Sequence, residues 1–312
     1  MIKVSTISKT AWLSKCLENI LGDFILPHID KYLDPGQCGG IKKSYINHYL
    51  IKLLDFAHRT SDMSTPHCTI LCTEDLSKAY NRGSHNLVVE DLHSMHVPKW
   101  TLGIVCSYLK ERSCILKYQN SKSESKMLPG GFGAGTWLGG LLFIVKFNGA
   151  CMRPPIPRPI TNNHGMQVKY IDDASQMASV NLRKSLIPDL SQRPLNLHER
   201  TEMVLKHEEN VILSELKKFY NFTQSNKLVI NKKKCFVMEF SRSRKLDFPA
   251  EITIGGSDIL EVKKVHRILG IMVQDNLKWQ TRCEEMVRRA TSTTWALRRM
   301  RAMGVPEATL VD

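Results

Sequence analysis

The 312-residue chain predicts an α+β fold, an antiparallel sheet with helices packed on one of its faces. Three observations point there. Met166-Gln167-Val168-Lys169-Tyr170-Ile171 and Ala174-Ser175-Gln176-Met177-Ala178-Ser179-Val180 alternate on either side of Asp172-Asp173, the pattern of a tight β-hairpin with two acids at its tip. Further upstream, Ile70-Leu71-Cys72 runs into Thr73-Glu74-Asp75, a short apolar strand that ends in acids. The segments between the strand groups repeat apolar residues at helical spacing.

In chain order, residues 11–26 carry Trp12, Leu13, Cys16, Leu17, Ile20, Leu21 and Phe24 with a helical period. Residues 43–58 repeat it with Tyr45, Tyr49, Leu50, Leu53, Leu54 and Ala57. A strand at 67–74 delivers Asp75. Helices follow at 84–95 and 98–110, the second with Pro98 where a first-turn proline is tolerated. Residues 112–118 and 124–128 pair around the polar turn Asn120-Ser121-Lys122. Trp137 to Val145 reads as a buried helix. Pro154, Pro155, Pro157 and Pro159 make a rigid loop before the hairpin. Residues 197–222 form one long amphipathic helix with Val204, Val211, Leu213, Leu216, Phe219 and Tyr220 on its apolar side. Strands at 227–231 and 234–240 follow, then a pair at 251–254 and 268–273. Residues 278–302 close the chain as a basic helix with its Arg-Arg pairs exposed.

Composition narrows the partners. At 42% hydrophobic residues the chain is globular, and its length suffices for a large core and a second lobe. A net charge of +14 points to a polyanion. Half of that excess falls after Asn226, in Lys232-Lys233-Lys234, Arg242, Arg244, Lys245, Lys263-Lys264, Arg288-Arg289 and Arg298-Arg299. Such a surface suits a phosphate backbone, because each neutralised phosphate releases counterions. The 9 cysteines follow no disulfide or zinc spacing, so a reducing, intracellular setting is expected. No signal peptide opens the chain. Its most apolar stretch ends at Lys146, short of the roughly 20 residues that span a bilayer. No membrane partner is therefore expected.

Asp172 and Asp173 repel each other unless a cation lies between them, and oxygen ligands suit Mg²⁺ or Mn²⁺. An aspartate at the end of a neighbouring strand, Asp75, can meet the pair. Three carboxylates then hold two metals about 3.5–4 Å apart, a clamp for in-line displacement at phosphate. Asp75 alone also reads as a helix N-cap, and the two readings are compatible. Asp75 with Ala79 and Tyr80, followed by Tyr170-Ile171-Asp172-Asp173, resembles the reverse transcriptase palm of non-LTR retrotransposons. The resemblance spans nearly the whole chain. Ile7-Ser8-Lys9-Thr10 and Leu13 to Glu18 look like the stretch between fingers and palm. Leu33-Asp34-Pro35-Gly36-Gln37-Cys38-Gly39 is similar to the "LxPxQxGF" turn. Leu128-Pro129-Gly130-Gly131 through Gly135 to Phe143 resembles the loop and helix under the template. Asn226 to Cys235 resembles the motif after the catalytic hairpin, and Ile268-Leu269-Gly270-Ile271, with Leu277 and Trp279 behind it, the primer-contacting turn.

The resemblance implies a right-hand polymerase: partial fingers and palm entry over 1–66, the palm with its catalytic hairpin over 67–246, and the primer-contacting turn with the start of a thumb over 247–312. It implies RNA-directed DNA polymerase activity on an RNA template and a DNA primer, with deoxynucleoside triphosphates, two Mg²⁺ (or Mn²⁺) ions and a nuclear setting. Asp75, Asp172 and Asp173 would be catalytic and hold the metals, and Lys234 would protonate the leaving pyrophosphate or act by its charge. Leu76, Tyr80 and Gly135 would bind the nucleotide, Tyr80 by leaving no room for a 2′-hydroxyl. Leu269 and Gly270 would contact the primer. Tyr80 and the Tyr-Ile-Asp-Asp tetrad argue against an RNA-dependent RNA polymerase, where a small residue and Gly-Asp-Asp are expected. The chain also departs from the family. Gly133-Ala134-Gly135 stands where Pro-Gln-Gly is usual, Ser5 where a triphosphate-gripping Arg is usual, and Asn81 where an Asp is frequent. These departures, and fingers strands mostly missing before Met1, fit a truncated or decayed element copy, or an incomplete gene model. The alternative function is a catalytically impaired remnant that only binds nucleic acid.

Overall fold

The computed structural model describes residues 10–133, 135–150, 165–185, 196–207, 210–241, 246, 248–254 and 258–306. The proline-rich segment before the hairpin lies outside them, as do Ser5, Ile7 to Lys9, Ala134, Arg242, Arg244 and Lys245. The N-terminal part is helical, with α1 (Trp12–Ile29) and α2 (Ile46–Ser61), before β1 (His67–Glu74). The short α3 (Ala79–Arg82) leads to α4 (His85–Ser94) and α5 (Lys99–Leu109). Four two-residue strands follow, β2 (Ser113–Cys114), β3 (Lys117–Tyr118), β4 (Ser121–Lys122) and β5 (Lys126–Met127), then α6 (Trp137–Asn148). The hairpin is β6 (Gly165–Tyr170) and β7 (Asp173–Asn181). After α7 (Leu182–Ser185), α8 (Leu197–Lys206) and α9 (Ile212–Ser225) come β8 (Phe236–Ser241), β9 (Glu251–Ile254) and β10 (Asp258–Val262). A separate hairpin, β11 (Val265–Ile268) and β12 (Ile271–Gln274), precedes α10 (Gln280–Ala302).

The main sheet runs β6-β7-β1-β8-β10-β9 and is antiparallel except for the β8–β10 pairing. β1 is central and buried on both sides, and Cys68 to Cys72 are buried at every position. Side chains alternate across it. Cys68, Ile70 and Cys72 enter a core with Val204, Ile212 and Leu216 of α8 and α9, while Leu71 enters another with Tyr49, Leu50 and Leu53 of α2. Helices thus cover both faces of the sheet, not one as the sequence pattern suggested. A third core gathers α1, α4, α5 and α6 beside the sheet. No helix among the described residues is long and apolar enough to cross a membrane.

Four local expectations give way to specific contacts. The single helix over 197–222 is two, because the Asn210 side-chain amide donates to the Leu205 carbonyl and competes with the helical pattern. Residues 227–231 are not a strand. Lys227 adopts φ +56 after α9, and its neighbour Leu228 donates back to the Thr223 carbonyl, a C-terminal helix cap. The pair at 251–254 forms with 258–262, while the segment at 268–273 belongs to the β11–β12 hairpin. The strand pair at 112–128 is broken into β2–β5 and β3–β4, with Ser121 and Lys122 inside a strand and not in the turn. The apolar marks on α1 also mislead. Trp12, Leu13, Leu17 and Ile20 face outward, whereas Leu21, Gly22, Ile25 and Leu26 pack inward. Gly22 abuts Trp137 of α6 so closely that a Cβ there would overlap the indole.

Candidate active site

β1 and β7 pair in register up to Glu74 opposite Ala174, which sets Asp75 beside Asp173 at the same end of the sheet. Tyr170 and Asp173 close the β6–β7 hairpin, so Ile171 and Asp172 form its two-residue turn. Ile171 has φ +59, a costly conformation for a β-branched residue. The neighbouring chain over-determines it: a Cβ on Gly39 would lie 2.7 Å from the Ile171 backbone nitrogen, so only glycine fits behind the turn.

Backbone contacts hold the Asp75 turn from the opposite side. Asn231 donates to the Asp75 carbonyl at 2.8 Å, Ser77 donates to the Val229 carbonyl at 2.7 Å, and Leu76 forms an isolated bridge with Ile230. This is the role of the segment expected as a strand. It ends in a tight turn, where Lys234 donates to the Asn231 carbonyl. That turn aims Lys234, out of three successive lysines, at the site: its Nζ lies 3.0 Å from Asp75 Oδ1.

The carboxylates sense one another. Burial pushes the Asp173 carboxyl up to about 6, helped by the charges of Asp172 and Asp75 and opposed by Lys234. Asp172 is raised as well, by burial first and then by Asp75. The hydrogen bond to Asp75 raises Lys234. Among the described residues no three His, Cys, Asp or Glu side chains stand at metal-ligand spacing. The three aspartates are electrostatic neighbours, and the ammonium of Lys234 supplies the positive charge. Their chemistry nonetheless fits a hard divalent cation. Asp75 Oδ2 is buried without a hydrogen-bond partner, and the other two carboxyls are held up by desolvation and mutual repulsion, which a cation would relieve.

Tyr80 sits on α3 with its ring stacked on Phe143 of α6, centroids 4.8 Å apart. Burial and then the charge of Asp172 push its hydroxyl up to about 12. Its carbonyl accepts from Phe132 at 2.8 Å, which ties the glycine loop to α3. Gly135, at φ +93, lies one residue before the cap of α6, where Thr136 Oγ1 accepts from the Gly139 amide. The Leu76 side chain is buried in the core and leaves only its backbone for a substrate. Leu269 and Gly270, at φ +44 and +86, form the β11–β12 turn, the double positive φ of a type I′ hairpin. That turn lines a cavity of about 260 Å³ together with Asp75, Asp173 and Lys234.

The cavity also contains residues the sequence reading passed over: Glu74, Tyr49, His266 and Arg267. Glu74 is buried with neither oxygen hydrogen-bonded, and desolvation raises its carboxyl well above the usual range. Tyr49 shares a 2.5 Å hydrogen bond with Ser175 beneath the aspartates. Arg267 reaches Glu285 of α10, which also receives Arg282 at 3.0 Å and Arg289 at 2.7 Å, so the cavity wall and α10 are joined. Arg267 carried a visible signal, a cation two residues before the turn; Tyr49 and Glu74 did not.

No family model matches the chain, and no curated protein does. Solved structures do. Apo telomerase from Candida tropicalis superposes with a TM-score of 0.51 at 11% identity, over 85% of this chain and 40% of that one. A form of the same enzyme truncated from its C-terminal domain gives 0.49 at 12%, over 84% and 44%. Telomerase from Candida albicans in complex with a telomeric RNA fragment gives 0.48 at 11%, over 85% and 38%. The chain spans about two fifths of the length of these structures. The likeness is one of fold: this chain shares its α+β architecture with the apo telomerase structure.

Proposed function

We propose that the chain is an RNA-directed DNA polymerase domain from a non-LTR retrotransposon, extending a primer 3′-hydroxyl by nucleotidyl transfer. The observation that carries this reading is the hairpin tip Asp172-Asp173 set beside Asp75 across β7 and β1, with Lys234 on the Asp75 carboxylate. Asp75, Asp172 and Asp173 would hold two Mg²⁺ or Mn²⁺ ions, which when bound lower the pKa of the primer hydroxyl and neutralise the leaving pyrophosphate. Tyr80, braced by Phe143, bounds the sugar pocket and excludes a 2′-hydroxyl. Lys234, with its Nζ 3.0 Å from Asp75 Oδ1, would donate a proton to the leaving pyrophosphate or act by its charge. Leu269 and Gly270 bear on the primer, and Gly135 on the nucleotide. Residues 67–246 would be the palm, flanked by fingers and thumb segments, with RNA and DNA phosphates following the basic C-terminal third.

A second reading rests on the altered grip positions of the sequence, Ser5 where an Arg is usual and Ala134 where a Gln is usual. On that reading the chain binds nucleic acid without turnover. Extension of an oligo(dT) primer on poly(A), with Mg²⁺ and with Mn²⁺, separates the two. The polymerase reading predicts metal-dependent extension. Duplex binding without extension in either metal overturns it.

A further inference from the structure

We infer that the buried Asp34–Lys169 ion pair is a positioning device that sets the catalytic hairpin at a fixed distance from the Tyr80 pocket, with α6 as the ruler. The functional half of this inference rests on the polymerase reading above. Lys169 lies on β6, three residues before Asp172, and its side chain is wholly buried. Its Nζ stands 2.8 Å from Asp34 Oδ2, and Asp34 itself is nearly enclosed. A charged pair is an expensive way to fill a core, so its geometry must be well satisfied to persist.

The surroundings satisfy it from three elements. In the turn after α1, Asp34 Oδ1 accepts from the Gly36 amide at 2.8 Å. From α6, Asn148 Oδ1 accepts from the Asp34 amide at 2.7 Å, while its Nδ2 donates to the Tyr32 carbonyl at 2.9 Å. The Phe147 carbonyl at the same helix end faces Lys169 Nζ at 3.4 Å, and the Phe147 ring lies 5.5 Å below the ammonium. From β6, the Lys169 amide donates to the Gly36 carbonyl at 2.9 Å, and the Lys169 carbonyl accepts from the Cys38 amide at 2.7 Å. The turn over 33–39 is therefore laced to the hairpin by backbone and charge together.

The preceding turn of α6 explains why this matters at the site. Phe147 stacks on Phe143 at 5.6 Å, and Phe143 stacks on Tyr80 at 4.8 Å. One column thus runs from Lys169 through Phe147 and Phe143 to Tyr80, which senses the charge of Asp172. Movement of β6 relative to α6 changes the separation between the aspartate tip and the wall of the sugar pocket. The Asp34–Lys169 pair prevents that movement.

The test compares Lys169→Met with the double variant Asp34→Asn/Lys169→Met. The single change takes the ammonium away from a buried carboxylate; the double change removes both charges and restores thermal stability toward wild type. Each protein is read for melting temperature, hydrogen exchange of the β6–β7 amides, and Mn²⁺ affinity. Positioning predicts that the stability-restored double variant still exchanges its hairpin amides faster and binds Mn²⁺ about tenfold more weakly, the scale of lost ligand-orienting partners. Where extension is measurable, its discrimination between dTTP and UTP should fall as well. A double variant that regains stability, exchange protection and Mn²⁺ affinity together overturns the inference, as does wild-type Mn²⁺ affinity and hairpin exchange in a folded Lys169→Met. If Lys169→Met does not fold, the double variant decides. Exchange and Mn²⁺ binding need no turnover, so failure of the polymerase reading appears separately, as absent extension by the wild-type chain.

Discussion

Lys234→Met separates the two jobs proposed for this lysine. Its ammonium lies 3.0 Å from Asp75 Oδ1, with the lysine side chain 65% exposed and the aspartate 14% exposed. A pair that wet is worth only about 0.2–1 kcal/mol. A divalent cation about 5 Å from the ammonium would be repelled by about 1.7 kcal/mol at the dielectric of water. Salt trims the sum, so removing the ammonium should tighten Mn²⁺ binding about tenfold, the equivalent of roughly 1.4 kcal/mol. Its loss as a proton donor should slow incorporation about a hundredfold. Titration of Mn²⁺ by electron paramagnetic resonance reads the first effect, and single-turnover incorporation the second. Mn²⁺ affinity that is unchanged or weaker in Lys234→Met would refute the idea that this ammonium competes for the aspartates.

Tyr80→Ala removes a ring braced on Phe143 and should erode selection against ribonucleotides about a hundredfold, read from competing dTTP and UTP incorporation. Protons compete with a cation for Asp173, whose carboxyl titrates at about 6 in the metal-free chain. Mn²⁺ affinity should therefore fall by up to about tenfold per pH unit below that value and level off above it; titrations at several pH values check the sign. Affinity for a primer–template duplex should drop on the order of a thousandfold between about 50 and 200 mM salt, and a flat response would remove the phosphate-binding role of the basic surface.

What the sequence disclosed and what it hid divide along a physical line. β1, the Asp172-Asp173 hairpin and the helix after Trp137 were legible because each has a strong local period and a local punctuation mark. Lys234 was legible only as one of three; the turn from Asn231 chooses among them. Pairings that depend on distant partners were not legible. Nothing in residues 251–254 says that they pair with β10 and not with β12. The outward face of α1 was hidden because Gly22, the residue that lets α6 approach, carries no hydrophobic signal. Asp34 and Lys169 read as ordinary turn and strand polar residues until the fold brings them together across more than a hundred positions. Glu74 was opaque for a similar reason: an acid at a strand end looks solvated, and only the packing around it shows that it is not.

The most direct test of the polymerase assignment is single-nucleotide addition of dTTP to oligo(dT) on poly(A) by the wild-type chain and by Asp172→Ala under identical conditions with Mn²⁺. The fold places no other carboxylate in the hairpin turn between Tyr170 and Asp173. The account predicts a wild-type rate that depends on the metal and an Asp172→Ala rate at the background of a metal-free control. Equal addition by the two proteins would contradict it, because the hairpin tip would then not be the site of chemistry.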